Sequence, residues 1–105
     1  MYITMNRILV NREHWDAFEA RFKNRAGLVD QTPGFIRNMI LRPENPDDLH
    51  IVMTLWENCA AFEAWTQSEA FARAHAKGNR PPADMFRGQS MLETFDVVAD
   101  TQTGT

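Results

Sequence analysis

Phe35-Ile36-Arg37-Asn38-Met39-Ile40-Leu41, then Arg42-Pro43-Glu44-Asn45-Pro46-Asp47-Asp48, then His50-Ile51-Val52-Met53-Thr54-Leu55-Trp56 read in order as strand, turn and strand. The outer runs are apolar and rich in strand-forming residues, and the polar run between them carries two prolines. That composition suits a hairpin connection. On the N-terminal side Thr32-Pro33-Gly34 breaks the chain, since proline restricts the residue before it and glycine permits positive φ. Before the break, Trp15, Phe18, Phe22 and Ala26 follow i, i+3, i+7, i+11 spacing, which is a helical stripe. Before that helix the first ten residues alternate, with Ile3, Met5 and Leu9 on one face and Tyr2, Thr4, Asn6, Ile8 and Val10 on the other. On the C-terminal side Asn58 is placed to cap a second helix carrying Phe62, Trp65, Phe71 and His75. Two glycines and Pro81-Pro82 make Lys77 to Gln89 a long loop, Met91 to Val98 the last strand and Ala99 to Thr105 a frayed tail.

The order is therefore β-α-β-β-α-β, an α+β fold of the ferredoxin-like, split βαβ type. Residues 1–100 form one domain and 101–105 a flexible tail. Two helices cover only one face of a four-stranded sheet, yet the strands are apolar at both parities. Ile51, Met53 and Leu55 stand on one side and Val52 and Trp56 on the other, and Met91, Phe95 and Val97 against Leu92 and Val98 repeat the pattern. A sheet-sized apolar patch is rarely left in water. The expectation is a homodimer packed sheet to sheet.

The 105 residues hold 11 Lys+Arg, 14 Asp+Glu and a net charge of -3. This excludes the basic surplus that nucleic-acid binding needs. One cysteine cannot form an intramolecular disulfide. No apolar run approaches the ~20 residues of a membrane span, and Met1-Tyr2-Ile3-Thr4-Met5-Asn6 has none of the features of a signal peptide. The expected setting is the cytoplasm, with no membrane partner.

The chain has no Gly-rich phosphate loop, no paired-cysteine zinc spacing and no nucleophile elbow. Cys59 reads as a small turn residue, His14 and His50 as surface residues, and Met39, Met53 and Met91 as core filling. At 100° per residue from Phe62, Trp65 lies near ~300° and His75 near ~220° on the second helix. His75 thus flanks the apolar stripe, either facing a cavity or solvated at a helix end. Asn6 interrupts a strand, so on a covered face its amide must find a partner or border a cavity. Arg21 and Arg25 lie one turn apart, either solvated or able to clamp a carboxylate.

Asn6, Arg21-Phe22, Arg25-Ala26, Pro33-Gly34-Phe35, Leu41-Arg42-Pro43, Trp56-Glu57, Ala61-Phe62-Glu63-Ala64-Trp65, Ala74-His75-Ala76 and Leu92-Glu93 occur in an order that resembles the IsdG-type haem-degrading monooxygenases. These belong to the antibiotic biosynthesis monooxygenase superfamily, whose fold is a dimeric α+β barrel. The likeness runs from about Met1 to Asp100. It implies that His75 is the axial ligand of haem iron and that Trp65 is the bulky side chain pushing the porphyrin out of plane. It implies that Asn6 is the distal amide facing iron-bound oxygen, with Arg21, Phe22 and Arg25 near the haem edge. A neutral imidazole in an apolar slot with one distal donor is an arrangement that sets haem reactivity. The 77–89 loop is then a candidate lid, with Lys77, Arg80 and Arg87 as propionate partners. The activity implied is O2-dependent opening of haem with release of iron, haem serving as substrate and oxygen-activating cofactor, and electrons coming from an external donor. Two other activities fit the same fold: a cofactor-free quinol monooxygenase, which needs no iron ligand, and a haem carrier without turnover.

Overall fold

A computed structural model of the chain describes residues 1–23, 29–74 and 85–102. Its central strand, β1 (Tyr2–Val10), lies in a four-stranded antiparallel sheet. The other strands are β2 (Phe35–Leu41), β3 (His50–Trp56) and β4 (Phe86–Asp96), in the order β2-β3-β1-β4. A 3-10 turn (Arg12–His14) leads into α1 (Trp15–Lys23), and a second 3-10 turn (Val29–Gln31) precedes β2. After β3 come α2 (Cys59–Thr66) and α3 (Glu69–Ala74). The β2–β3 hairpin is where the two prolines and the Asx cluster place it, and the topology is the ferredoxin-like one expected.

The helix-facing side of β1 carries Tyr2, Thr4, Asn6, Ile8 and Val10, as the alternation requires. Two apolar clusters form there. In one, Ile8, Val10, Trp15, Phe18 and Met85 are buried, with Phe22, Ile40, Val52 and Phe86 packed against them. The other centres on Trp56 and Trp65, flanked by Tyr2, Phe35, Phe62 and Phe71 among others. Gly34 makes the second cluster possible. Its φ is +84°, and a Cβ there would sit 2.4 Å from the Ala61 Cβ, so only glycine lets the β2 entry meet α2.

Three sequence expectations need correction. The second helix is two helices. Ser68 Oγ accepts from the Phe71 amide at 3.1 Å and donates to the Trp65 carbonyl at 2.7 Å, which starts α3 and ends α2. A continuous 100° count from Phe62 therefore does not carry through to residue 75. The last strand begins at Phe86, not Met91, so the supposed loop ends before Phe86. The polar stretch Arg87-Gly88-Gln89-Ser90 belongs to an edge strand. Gly88, at φ +73°, lies where the β1–β4 register shifts between Arg7 and Leu9, so it marks a bulge. Third, His50 is completely buried. Its parity with Val52 and Trp56 put it on the covered face, although it opens the strand.

The opposite face of the sheet carries Ile3, Met5, Arg7 and Leu9 from β1. By register, Ile51, Met53 and Leu55 of β3, Met39 and Leu41 of β2, and Met91, Glu93 and Phe95 of β4 join them. Leu41, Met91 and Phe95 are exposed there. Arg7 and Glu93 form an ion pair within this apolar field.

Candidate functional site

On the helix-facing side, the two apolar clusters are separated by a polar row. Register aligns Asn38, Thr54, Thr4 and Thr94 across all four strands. Asn38 Nδ2 donates to Thr54 Oγ1 at 2.8 Å, and the Trp56 indole N–H donates to Thr4 Oγ1 at 3.4 Å. Thr4 and Thr54 are buried, so these bonds satisfy groups that burial would otherwise leave costly.

The next row is Ile40, Val52, Asn6 and Leu92. Here the pairing fails. Asn6 Oδ1 is enclosed and has no hydrogen-bond partner among the described residues. An orphaned acceptor of this kind costs about 1–3 kcal/mol, which folding tolerates where a ligand or water takes up the amide. Turning the amide by 180° presents Nδ2, a donor, at the same point. Leu92, directly opposite Asn6 and on the same side of the sheet, is 59% exposed. The unpaired amide therefore stands beside an apolar side chain that is left more than half uncovered. The orphaned amide beside the uncovered leucine suits a largely apolar ligand.

Trp65, on α2, is buried against Trp56, and its ring meets Phe71 edge to face at 5.6 Å. Trp56 in turn is held edge to face by Phe35 and Phe62, each at 5.8 Å. Phe22 and Arg21 stand on the last turn of α1, with Phe22 against Phe18 at 5.0 Å. Arg25, His75, Lys77 and Arg80 lie outside the described residues. Arg87 pairs in register with Leu9, on the face away from the helices. It is therefore not a partner for a ligand held on the helix side, because its strand parity is wrong.

Sequence reasoning missed a second cluster, beyond Val52 toward the start of β3. His50 Nε2 is 2.9 Å from Glu19 Oε2, and its Nδ1 has no partner among the described residues. Arg42 grips the same carboxylate through Nε at 2.7 Å and Nη2 at 2.5 Å. These Arg42 bonds chiefly, and His50 after them, hold the Glu19 carboxyl at about 2 against an ordinary 4.5, although burial opposes them. The Arg42 guanidinium is raised by the same carboxylate. Trp15 and Phe18 enclose the imidazole edge to face at 4.7 and 5.2 Å. The parity of His50 with Val52 was the signal available for this group.

The four-stranded antiparallel sheet with helices packed on one face is a ferredoxin-like α+β scaffold. The sequence profile of the antibiotic biosynthesis monooxygenase family matches residues 1–77, and the chain belongs to that family. Among characterised relatives, the haem oxygenase (mycobilin-producing) of Mycobacterium tuberculosis is 38% identical over 98 residues, covering 93% of this chain and 90% of the relative. A haem-degrading monooxygenase of Shouchella clausii is 33% identical over 99 residues, covering 92% and 90%. The structure of the haem-degrader MhuD of M. tuberculosis with two haems bound in its active site superposes with a TM-score of 0.78. It is 31% identical and covers 95% of this chain and 98% of its own. SnoaB, a cofactor-independent oxygenase of Streptomyces nogalater, shares the fold at 23% identity and a TM-score of 0.73.

Proposed function

We propose that this protein is a haem-degrading monooxygenase that binds haem between sheet and helices and opens the porphyrin, releasing iron. The observation that carries the reading is the orphaned amide of Asn6 beside the uncovered Leu92, in a chain whose relatives degrade haem. When bound, haem supplies both the ring to be opened and the iron that activates O2, with electrons from an external donor. The chain's own residues do the rest. Asn6 would present an amide donor to the bound group, where a preorganised hydrogen bond to developing charge is worth most. Trp65 would supply a rigid aromatic surface for the ring, and His75 would hold the iron through its imidazole. Arg21, Phe22 and Arg25 border the haem edge. Val52 and Leu92, either side of Asn6, keep that side of the ligand dry.

The reading extends to the assembly. Met5, Met53, Met91 and Phe95 on the outer sheet face suit a homodimer packed sheet to sheet, with one site per subunit. Residues 1–100 act as one domain and 101–105 as a tail. Among the described residues no helix is long and apolar enough to cross a membrane, and a cytoplasmic enzyme is the setting proposed.

Haemin titration followed by ascorbate in air tests the function. The expected result is a saturable Soret band that disappears on reduction in air, and its loss in His75→Ala. A Soret band that forms and persists under reductant makes the protein a carrier. No Soret band at all removes the haem reading.

A further inference from the structure

We propose that Trp56, anchored by the Thr4 hydroxyl, is a positioning residue that sets the tilt of Trp65; this rests on the reading that Trp65 faces the porphyrin. Trp56 is 1% exposed and, among the described residues, is the other buried member of the cluster that holds Trp65. The two tryptophans are the buried pair at the centre of one cluster, and neighbours in a packed interior constrain each other's angle because it leaves no slack. What fixes Trp56 is visible on every side. Phe35, from β2, meets it edge to face at 83°, and Phe62, from α2, at 63°. Its indole N–H is tied to Thr4 Oγ1 on β1. That bond is the one feature that selects a single orientation of the indole about its long axis, since apolar contacts alone do not distinguish the N–H edge.

Thr4 itself is set by its strand. It lies opposite Thr54 and two residues from Asn6 on the same side of β1. The distal amide and the anchor of the aromatic wall thus project from one strand, on one face, about 7 Å apart along it. A ligand touching both Asn6 and Trp65 is located by β1 on both counts. Trp56 need not touch the ligand to matter, since a displacement of about 1 Å at a reacting centre costs up to about 100-fold in rate.

The test uses Thr4→Val, which keeps shape and strand preference and deletes only the hydroxyl that accepts the Trp56 bond. In the haem-free protein the three tryptophans give three indole N–H resonances. Thr4→Val should move the Trp56 resonance, through loss of its bond, and the Trp65 resonance, through the changed ring packing. The Trp15 resonance should stay, because its N–H donates to the Val10 carbonyl at 3.1 Å. With haemin bound, resonance Raman bands that report out-of-plane distortion should shift toward those of Trp65→Ala. Turnover should fall roughly tenfold while haemin affinity changes less than about twofold. Trp56→Phe, which keeps an aromatic ring but no donor, should reproduce the Raman shift. A Trp65 resonance that does not move when that of Trp56 does overturns the positioning role, whatever haem does. Unaltered Raman bands in Trp65→Ala overturn the porphyrin role of Trp65 itself, and the role of Trp56 with it.

Discussion

Glu19→Gln removes the charge from the cluster that ties α1 to the start of β3, and its cost follows from the geometry. The carboxylate accepts two bonds from Arg42 and one from His50, and its pKa stands at about 2 instead of 4.5. A depressed folded-state pKa gives stability that is fully present above 4.5 and is lost as pH falls from there to about 2. At 1.36 kcal/mol per pH unit the full depression corresponds to roughly 3 kcal/mol. The Arg42 side chain, the main cause, is 52% exposed, and solvent screens its share, so about 1–2 kcal/mol is the expected contribution. Glutamine keeps an acceptor for Arg42, but it offers His50 an N–H or a neutral oxygen in place of a carboxylate. The variant should therefore lose about 1–2 kcal/mol at pH 7, or about 4–16 °C in Tm at this chain length. Urea denaturation followed by circular dichroism from pH 7 to pH 3, at one protein concentration, measures this directly. Other carboxylates titrate in the same range, so the quantity that isolates Glu19 is the difference between the two proteins. That difference should shrink as pH falls below 4.5. A constant difference, or none at pH 7, would refute the clamp.

Two further outcomes are expected. Asn6→Ala should leave ferric haemin affinity nearly intact, and should slow single-turnover loss of the Soret band by about 100- to 1,000-fold, as removal of one preorganised donor does elsewhere. A variant that consumes haem at the unmodified rate would make Asn6 a strand residue and nothing more. Met53→Asp puts an unpaired charge at the centre of the outer sheet face, between Met39 and Met5 in register. If that face is buried between subunits, the charge costs several kcal/mol, and light scattering should show monomer where the unmodified protein is a dimer. An unmodified protein that scatters as a monomer at micromolar concentration would rule the dimer out.

Much of the fold was legible because each element carries a local signal. The alternation of Tyr2 to Val10, the Trp15-Phe18-Phe22 stripe and the proline-bearing turn after Leu41 each specify one period or one break. The failures have local causes too. Ser68 reads as one polar residue within a helical pattern, but its hydroxyl competes for backbone bonds and splits the helix. Gly88 reads as a loop residue, but an edge strand tolerates it as a bulge. His50 was misread because a strand's first residue is often wet, while its side chain obeys the strand's parity. The Glu19–His50–Arg42 contacts were beyond reach, since they join α1, β3 and the end of β2 across 23 to 31 residues of sequence. Asn6 was legible as an anomaly. What it lacked was the neighbour across the strand.

That neighbour separates a site from a structural oddity. Among the described residues, two buried side-chain atoms lack a hydrogen-bond partner: His50 Nδ1 and Asn6 Oδ1. Both stand on the covered face of the sheet, and both carry the same kind of penalty. Their surroundings differ. His50 is walled by Trp15 and Phe18, its other nitrogen is bound to Glu19, and its exposure is nil. No ligand reaches that nitrogen without unpacking α1, so its unmet bond is a cost that the Glu19 clamp offsets. Asn6 faces Leu92, which is more than half exposed on the side where helices cover the rest of the sheet. An unmet polar atom beside an uncovered apolar side chain can be met by a ligand that docks there. The same deficit is therefore structural at one end of the sheet, while at the middle it is the feature on which the proposed haem site rests, and the difference lies in whether the next side chain is covered.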